Sequence, residues 1–113
     1  MNDRIAKVNE LMKRELGQII LREVEMPEKA VVTLTRVIAS GNLQQARVYI
    51  SVVPDEKAQE VLKTLGQNVF DIQQILNRKL KMRPVPKILW VAEKATAEAQ
   101  RIEEILDQIK EKG

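Results

Sequence analysis

The stretch from Pro54 to Trp90, PDEKAQEVLKTLGQNVFDIQQILNRKLKMRPVPKILW, constrains the fold more than any other part of the chain. Asp55 stands where its carboxylate can accept a backbone N–H from a first helical turn. Beyond it, Ala58, Val61, Leu62, Leu65, Val69, Ile72, Leu76 and Leu80 recur at spacings of three and four. That is one apolar stripe at helical period, and its phase is unbroken across the segment. The segment then turns basic through Arg78, Lys79, Lys81, Arg83 and Lys87, with no acidic residue between Asp71 and Glu93. Pro84 and Pro86 end the helix, because proline lacks a backbone donor and pushes the preceding residue toward extended geometry. Lys-Ile-Leu-Trp-Val follows as a short strand over Ile88–Val91. A long helix must therefore pack one face on something flat, end in a cationic tip, and feed a strand.

The flanking sequence supplies that flat surface. Val31 to Ile38 is rich in β-branched residues and reads as a strand, although both of its alternating sets contain apolar residues and leave its inner face open. Ser40-Gly41-Asn42 marks a turn, with Gly41 or Asn42 suited to positive φ. Ala46, Val48, Ile50 and Val52 then alternate with Arg47, Tyr49, Ser51 and Val53. This second strand has a defined inner face and pairs with the first as an antiparallel hairpin. Residues 3–22 form a helix whose apolar face is Ile5, Val8, Met12, Leu16 and Ile19, and residues 23–30 are a loop. After Val91, Glu93 to Thr96 turn the chain. Thr96 can cap a last helix striped by Ile102, Ile105, Leu106 and Ile109 and solvated by Glu98, Arg101, Glu103, Glu104 and Asp107, with residues 110–113 frayed. The order helix, strand, strand, long helix, strand, helix predicts one α+β domain over 1–113, a small three-stranded sheet with helices packed on one face.

Composition removes whole classes of chemistry. The chain has no Cys and no His, which excludes disulfides, thiolate or imidazole metal sites and every triad that uses histidine as a base. Carboxylate-only catalysis remains open, but the 16 acidic residues are scattered and mark no catalytic, cofactor or metal site. Aromatic residues are 3% of the chain, too few for base stacking on rings to be the main binding mode. A net charge of +3 and a pI near 9.3 suit an anionic partner. The run Ile88–Ala92 is far too short to span a membrane, and MNDRIAKVNE has no apolar signal core. A cytoplasmic, monomeric protein is the expectation.

Two groups of cations are candidates for binding. The first is Arg78, Lys79, Lys81, Arg83 and Lys87. Cations near a helix C-terminus offset the macrodipole, worth about 0.3–1 kcal/mol each when exposed, but five without an intervening acid exceed what capping requires. The second is Arg4, Lys7 and Arg14, which line up with Leu11 and Gln18 opposite the buried face of the first helix. These form either a solvated face or a stripe that meets phosphate, and Glu10 and Glu15 dilute them. Trp90, between Leu89 and Val91, reads as core. Tyr49 lies on the outer face of its strand and meets either RNA or the next helix. Phe70 falls off the apolar stripe, and either covers a kink in the long helix or fills the gap under the first helix.

These pieces, taken in order, resemble the ribosome-binding factor A family. LTRVIASGNLQQARVYISVV is similar to its hairpin, in which a strand with Thr and Val leads to a Ser-x-Asp-Leu turn and then Ala-Lys/Arg-Val-Tyr-Val. The matching positions here are Ser40, Asn42, Leu43, Ala46, Arg47, Val48 and Tyr49. Lys7-Val8 and Arg14-Glu15-Leu16 fit its first helix, Arg83 to Ile88 resembles its Arg-x-x-Pro-Glu-Leu, and Arg101 to Leu106 resembles its C-terminal helix. Asn42, Lys87 and Glu93 depart from the family's Asp, Glu and Asp. The resemblance implies a KH-like fold of type II topology and a non-catalytic factor that binds the free small (30S) ribosomal subunit. It also implies a role late in maturation of 16S ribosomal RNA, near its 5′ end and the decoding region. Ordinary KH domains clamp nucleotides with a Gly-x-x-Gly loop, and this chain has none. The family carries Ala-x-Gly at a helix kink instead, and the matching residues here are Asn68, Val69 and Phe70. Two rival readings are a general KH-like RNA- or DNA-binding module and a protein–protein adaptor. Steep salt dependence separates phosphate binding from the last.

Overall fold

The computed structural model describes residues 3–94. Helix α1 (Asp3–Glu23) leads to strands β1 (Val31–Ala39) and β2 (Gln45–Val53). A 3-10 turn (Asp55–Lys57) opens helix α2 (Ala58–Lys79), and strand β3 (Lys87–Ala92) closes the sheet. The strand order is β1-β2-β3. The hairpin is antiparallel, and β3 runs parallel to β2, with Val48 beside Trp90. A parallel neighbour needs a crossover, and α2 is that crossover. Both helices lie on one face of the sheet in a KH-like α+β arrangement. The helix expected after Thr96, with its cap, its stripe and the frayed 110–113, falls outside the described residues.

The core lies where the apolar stripes meet the sheet. Val8, Met12, Leu16 and Ile19 of α1 and Val61, Leu65, Ile72 and Leu76 of α2 are buried against Ala46, Val48, Ile50 and Val52 of β2. Ile5, Ala58, Leu62 and Val69 are half-buried at its margin. The open question of β1 has a geometric answer. Leu34 pairs with Ile50 and Arg36 with Tyr49, so Thr35 is an extra residue in a β-bulge. The bulge reverses the parity of the strand. Val32 and Leu34 face inward before it, and Val37 and Ala39 after it, each opposite an inward residue of β2.

Several local expectations are corrected. Asp55 does not cap α2 with its side chain. The helix grows out of the 3-10 turn, where Lys57 N–H reaches the Pro54 carbonyl at 3.0 Å and Ala58 N–H reaches the Asp55 carbonyl, so backbone partners replace the side-chain cap. In the hairpin, positive φ falls on Leu43 (58°) rather than on Gly41 or Asn42. Asn42 Oδ1 accepts from Ser40 Oγ at 2.6 Å and from Gln44 N–H at 3.1 Å. That Asx-type closure carries the chain past Asn42, and the left-handed residue that follows buries its own side chain, Leu43. Helix α2 ends at Lys79, ahead of Pro84, because Leu80 turns extended (φ −90°, ψ 135°) and buries its side chain. Lys81 and Arg83 thus sit on the connector rather than on the helix. Trp90, expected in the core, is half-buried and packs against the core cluster from β3. Its indole N–H is enclosed without an acceptor among the described residues.

Candidate nucleic-acid interface

Each cation's place follows from the element that carries it. On α1 the buried residues set the helix phase, and Arg4, Lys7 and Arg14 fall on the opposite, exposed side with Leu11 between them. Lys7, Glu10, Leu11 and Arg14 border one groove. Arg14 Nε lies 3.7 Å from Glu15 Oε1, so its field is partly offset. At the other end, the extended turn at Leu80 carries the chain under the start of α1. Arg4 and Lys7 of α1 and Lys81 of the connector then line one groove, floored by Val8, Leu11, Leu80 and Met82. The two groups of cations, far apart in sequence, meet there.

The remaining cations divide. Lys79 is exposed at the last position of α2, and Lys87 is exposed at the first position of β3, opposite Gln45. Arg83 closes the end of the helix, where its Nη1 donates to the Asn77 carbonyl at 3.3 Å and satisfies one of the last carbonyls of α2. Arg78 stands apart and lines a different groove with Glu23, Asp71 and Asn68.

Helix α2 is continuous through Asn68, Val69 and Phe70. Thr64 Oγ1 donates to the Glu60 carbonyl at 3.0 Å, and Asn68 Nδ2 donates to the Thr64 carbonyl at 2.8 Å. These i to i−4 side-chain bonds share the backbone acceptors of the helix. Phe70 is 70% exposed and fills no gap under α1.

Sequence reasoning missed two residues that hold this surface together. Gln73 of α2 donates from Nε2 to the Pro86 carbonyl (3.1 Å) and to Asn77 Oδ1 (3.1 Å), and its Oε1 accepts the Ile88 N–H at 3.0 Å. It pins the basic connector to the helix. Asn9 Oδ1 accepts the Ala39 N–H at 2.8 Å, which ties α1 to the end of β1. Single polar residues near apolar stripes give no periodic signal, so only coordinates show these roles.

Tyr49 is buried on the outer face of the sheet, so its ring is not open to RNA. The Arg36 guanidinium lies 4.1 Å and that of Arg47 5.8 Å from its centroid. Arg36 Nη2 is 3.3 Å from Glu93 Oε2, and Thr35 Oγ1 donates to Glu93 Oε1. Among the described residues no helix is long and apolar enough to cross a membrane.

Among the described residues, a three-stranded mixed sheet, two helices on one face and a groove where Arg4, Lys7 and Lys81 meet define a KH-like α+β domain. The model of the ribosome-binding factor A family matches residues 4–106, and the chain belongs to that family. Solved structures agree on the fold. The crystal structure of ribosome-binding factor A from Thermus thermophilus is similar at 20% identity, with a TM-score of 0.67, over 78% of this chain and 93% of that one. A solution NMR structure of a putative ribosome binding factor A from Thermotoga maritima is similar at 22% identity, with a TM-score of 0.59, over 82% and 86%. A homology model of the Thermus thermophilus factor, fitted into a cryo-EM map of a 30S complex, is similar at 24% identity, with a TM-score of 0.62, over 74% and 88%.

Proposed function

We propose that this chain binds the free small ribosomal subunit through its 16S RNA and assists late maturation near the 5′ end, without catalysis. The observation that carries the reading is the meeting of Arg4, Lys7 and Lys81 at one groove. The outer cations Lys79, Arg83 and Lys87 extend this field along the connector, and Arg14 along α1. Arg78 contributes from the far side of α2. Arginine bridges phosphate oxygens in a bidentate manner, and lysine acts as a point charge. The site therefore recognises the shape and phosphates of a folded RNA, with the continuous helix at Asn68, Val69 and Phe70 standing where a nucleotide-clamping loop would lie. Family membership supports ribosome binding, and the Thermus relative has been fitted into a complex with 30S. The setting is the cytosol, where such subunits mature.

Co-sedimentation with purified free small subunits tests this. The parent should travel with them, and a Lys7→Glu/Lys81→Glu variant should not. Equal binding by the folded variant would remove the groove from the interface. Cells lacking the factor should accumulate small-subunit RNA with an unprocessed 5′ end.

A further inference from the structure

The groove at the start of α1 has a lining that charge alone does not explain. Its volume, about 380 Å³, lies like those of the neighbouring grooves within the roughly 300–1,000 Å³ typical of sites for small molecules, so its lining is what sets it apart. Its floor is aliphatic, with Leu11 38% exposed and Leu80 closing the bottom. Among the described residues its lining holds no carboxylate, whereas neighbouring grooves carry Glu23 and Asp71, or Glu10. Lys7 and Lys81 approach it from different elements, α1 and the connector held down by Gln73.

A duplex presents phosphates and keeps its base faces stacked, so it would meet the rim and leave Leu11 and Met82 wet. An unstacked base offers a flat apolar face to such a floor while its phosphate remains outside. Resting on the reading of the chain as an RNA binder, we infer that this groove seats one unpaired nucleotide. Its base lies against Val8, Leu11 and Met82, and its phosphate lies between Lys7 and Lys81. The shared chemistry is an anionic group attached to a planar ring. The aliphatic floor sets no hydrogen-bond pattern, so the site selects for unpairedness rather than for a particular base.

The experiment uses the full chain and three RNAs: a mixed-sequence single-stranded octamer, the same octamer with abasic positions, and the same sequence in a hairpin duplex. The parent should bind the intact strand about tenfold more tightly than the abasic strand or the duplex, consistent with burial of one large apolar group. Leu11→Ser should lose that preference while keeping the slope of affinity against salt. Met82→Ser provides a second variant if Leu11→Ser lowers the unfolding midpoint. An intact-strand affinity equal to the parent's in both folded variants overturns the inference. So does an equal loss for intact and abasic strands, which would make the floor a structural support. Loss of subunit binding without loss of octamer binding would assign the groove to a protein partner and also overturns it. Failure of the broader reading looks different: the parent would then bind none of the three RNAs, whereas a Lys7→Glu/Lys81→Glu variant that binds the intact strand as the parent does overturns only the seating of a nucleotide in this groove.

Discussion

Gln73 Oε1 accepts the backbone N–H of Ile88 at 3.0 Å, joining the middle of α2 to the start of β3 across the basic connector. Among the described residues Ile88 lies on an edge strand, with a ladder partner on one side. The same side chain donates to the Pro86 carbonyl at 3.1 Å. Gln73→Leu should therefore destabilise the protein by about 1–3 kcal/mol, the cost of leaving buried backbone groups without partners. Gln73→Glu keeps an acceptor for Ile88 but loses the donor to Pro86, and should fall between parent and Gln73→Leu. Urea unfolding midpoints measure both; an unshifted Gln73→Leu would mean that water replaces the side chain at no cost.

On the opposite face of the sheet, Glu93 receives Thr35 Oγ1 from the bulge and Arg36 from the position after it. Its side chain is only 4% exposed. Glu93→Ala removes the acceptor shared by these two donors, and a cost of about 2–3 kcal/mol is expected. Thermal unfolding followed by far-UV circular dichroism reads it. If Glu93→Ala leaves the midpoint in place, Thr35 and Arg36 find equivalent partners elsewhere.

Gly66 lies in the interior of α2, and a Cβ built there meets nothing within 4 Å. Alanine restricts the unfolded chain and suits the helix, so Gly66→Ala should stabilise by about 0.5–1 kcal/mol. Gly17 of α1 is equally open and should give a similar, independent gain. A double variant whose midpoint rises by less than either single variant would show that one of the helices changes its packing.

The fold was legible wherever many residues repeat one signal. The stripe from Ala58 to Leu76, the alternation from Ala46 to Val52 and the face from Val8 to Ile19 each summed weak preferences into one phase, and each packs into the core as that phase requires. The hidden features are single events. One extra residue at Thr35 reverses the parity of β1, which is why both alternating sets looked apolar. Leu43 takes the left-handed turn position that Gly41 suggested, because burial of its side chain and the Asn42 closure outweigh local preference. Leu80 ends α2 before the prolines. That displacement, invisible to periodicity, is what carries Lys81 to Lys7 and makes one groove from two cation groups.

Lys81 and Arg83 are neighbours in sequence with different work. Arg83 is engaged with the Asn77 carbonyl at the end of α2, while Lys81 lines the groove with Lys7. Lys81→Gln should weaken binding to small subunits and reduce the slope of log affinity against log salt by roughly 0.7–0.9, the value for one lost phosphate contact. Its unfolding midpoint should hold, because exposed charges contribute little to stability. Arg83→Gln should lower the midpoint slightly by loosening the helix end and should change the salt slope less than Lys81→Gln does. Arg83→Lys should recover charge but not the helix-end contact, since an ammonium on a shorter reach lacks the planar fork of the guanidinium. Filter binding at several salt concentrations, paired with unfolding curves for the same three variants, separates the two roles. If Arg83→Gln flattens the slope as much as Lys81→Gln while leaving the midpoint alone, Arg83 leaves Asn77 on binding and contacts phosphate itself.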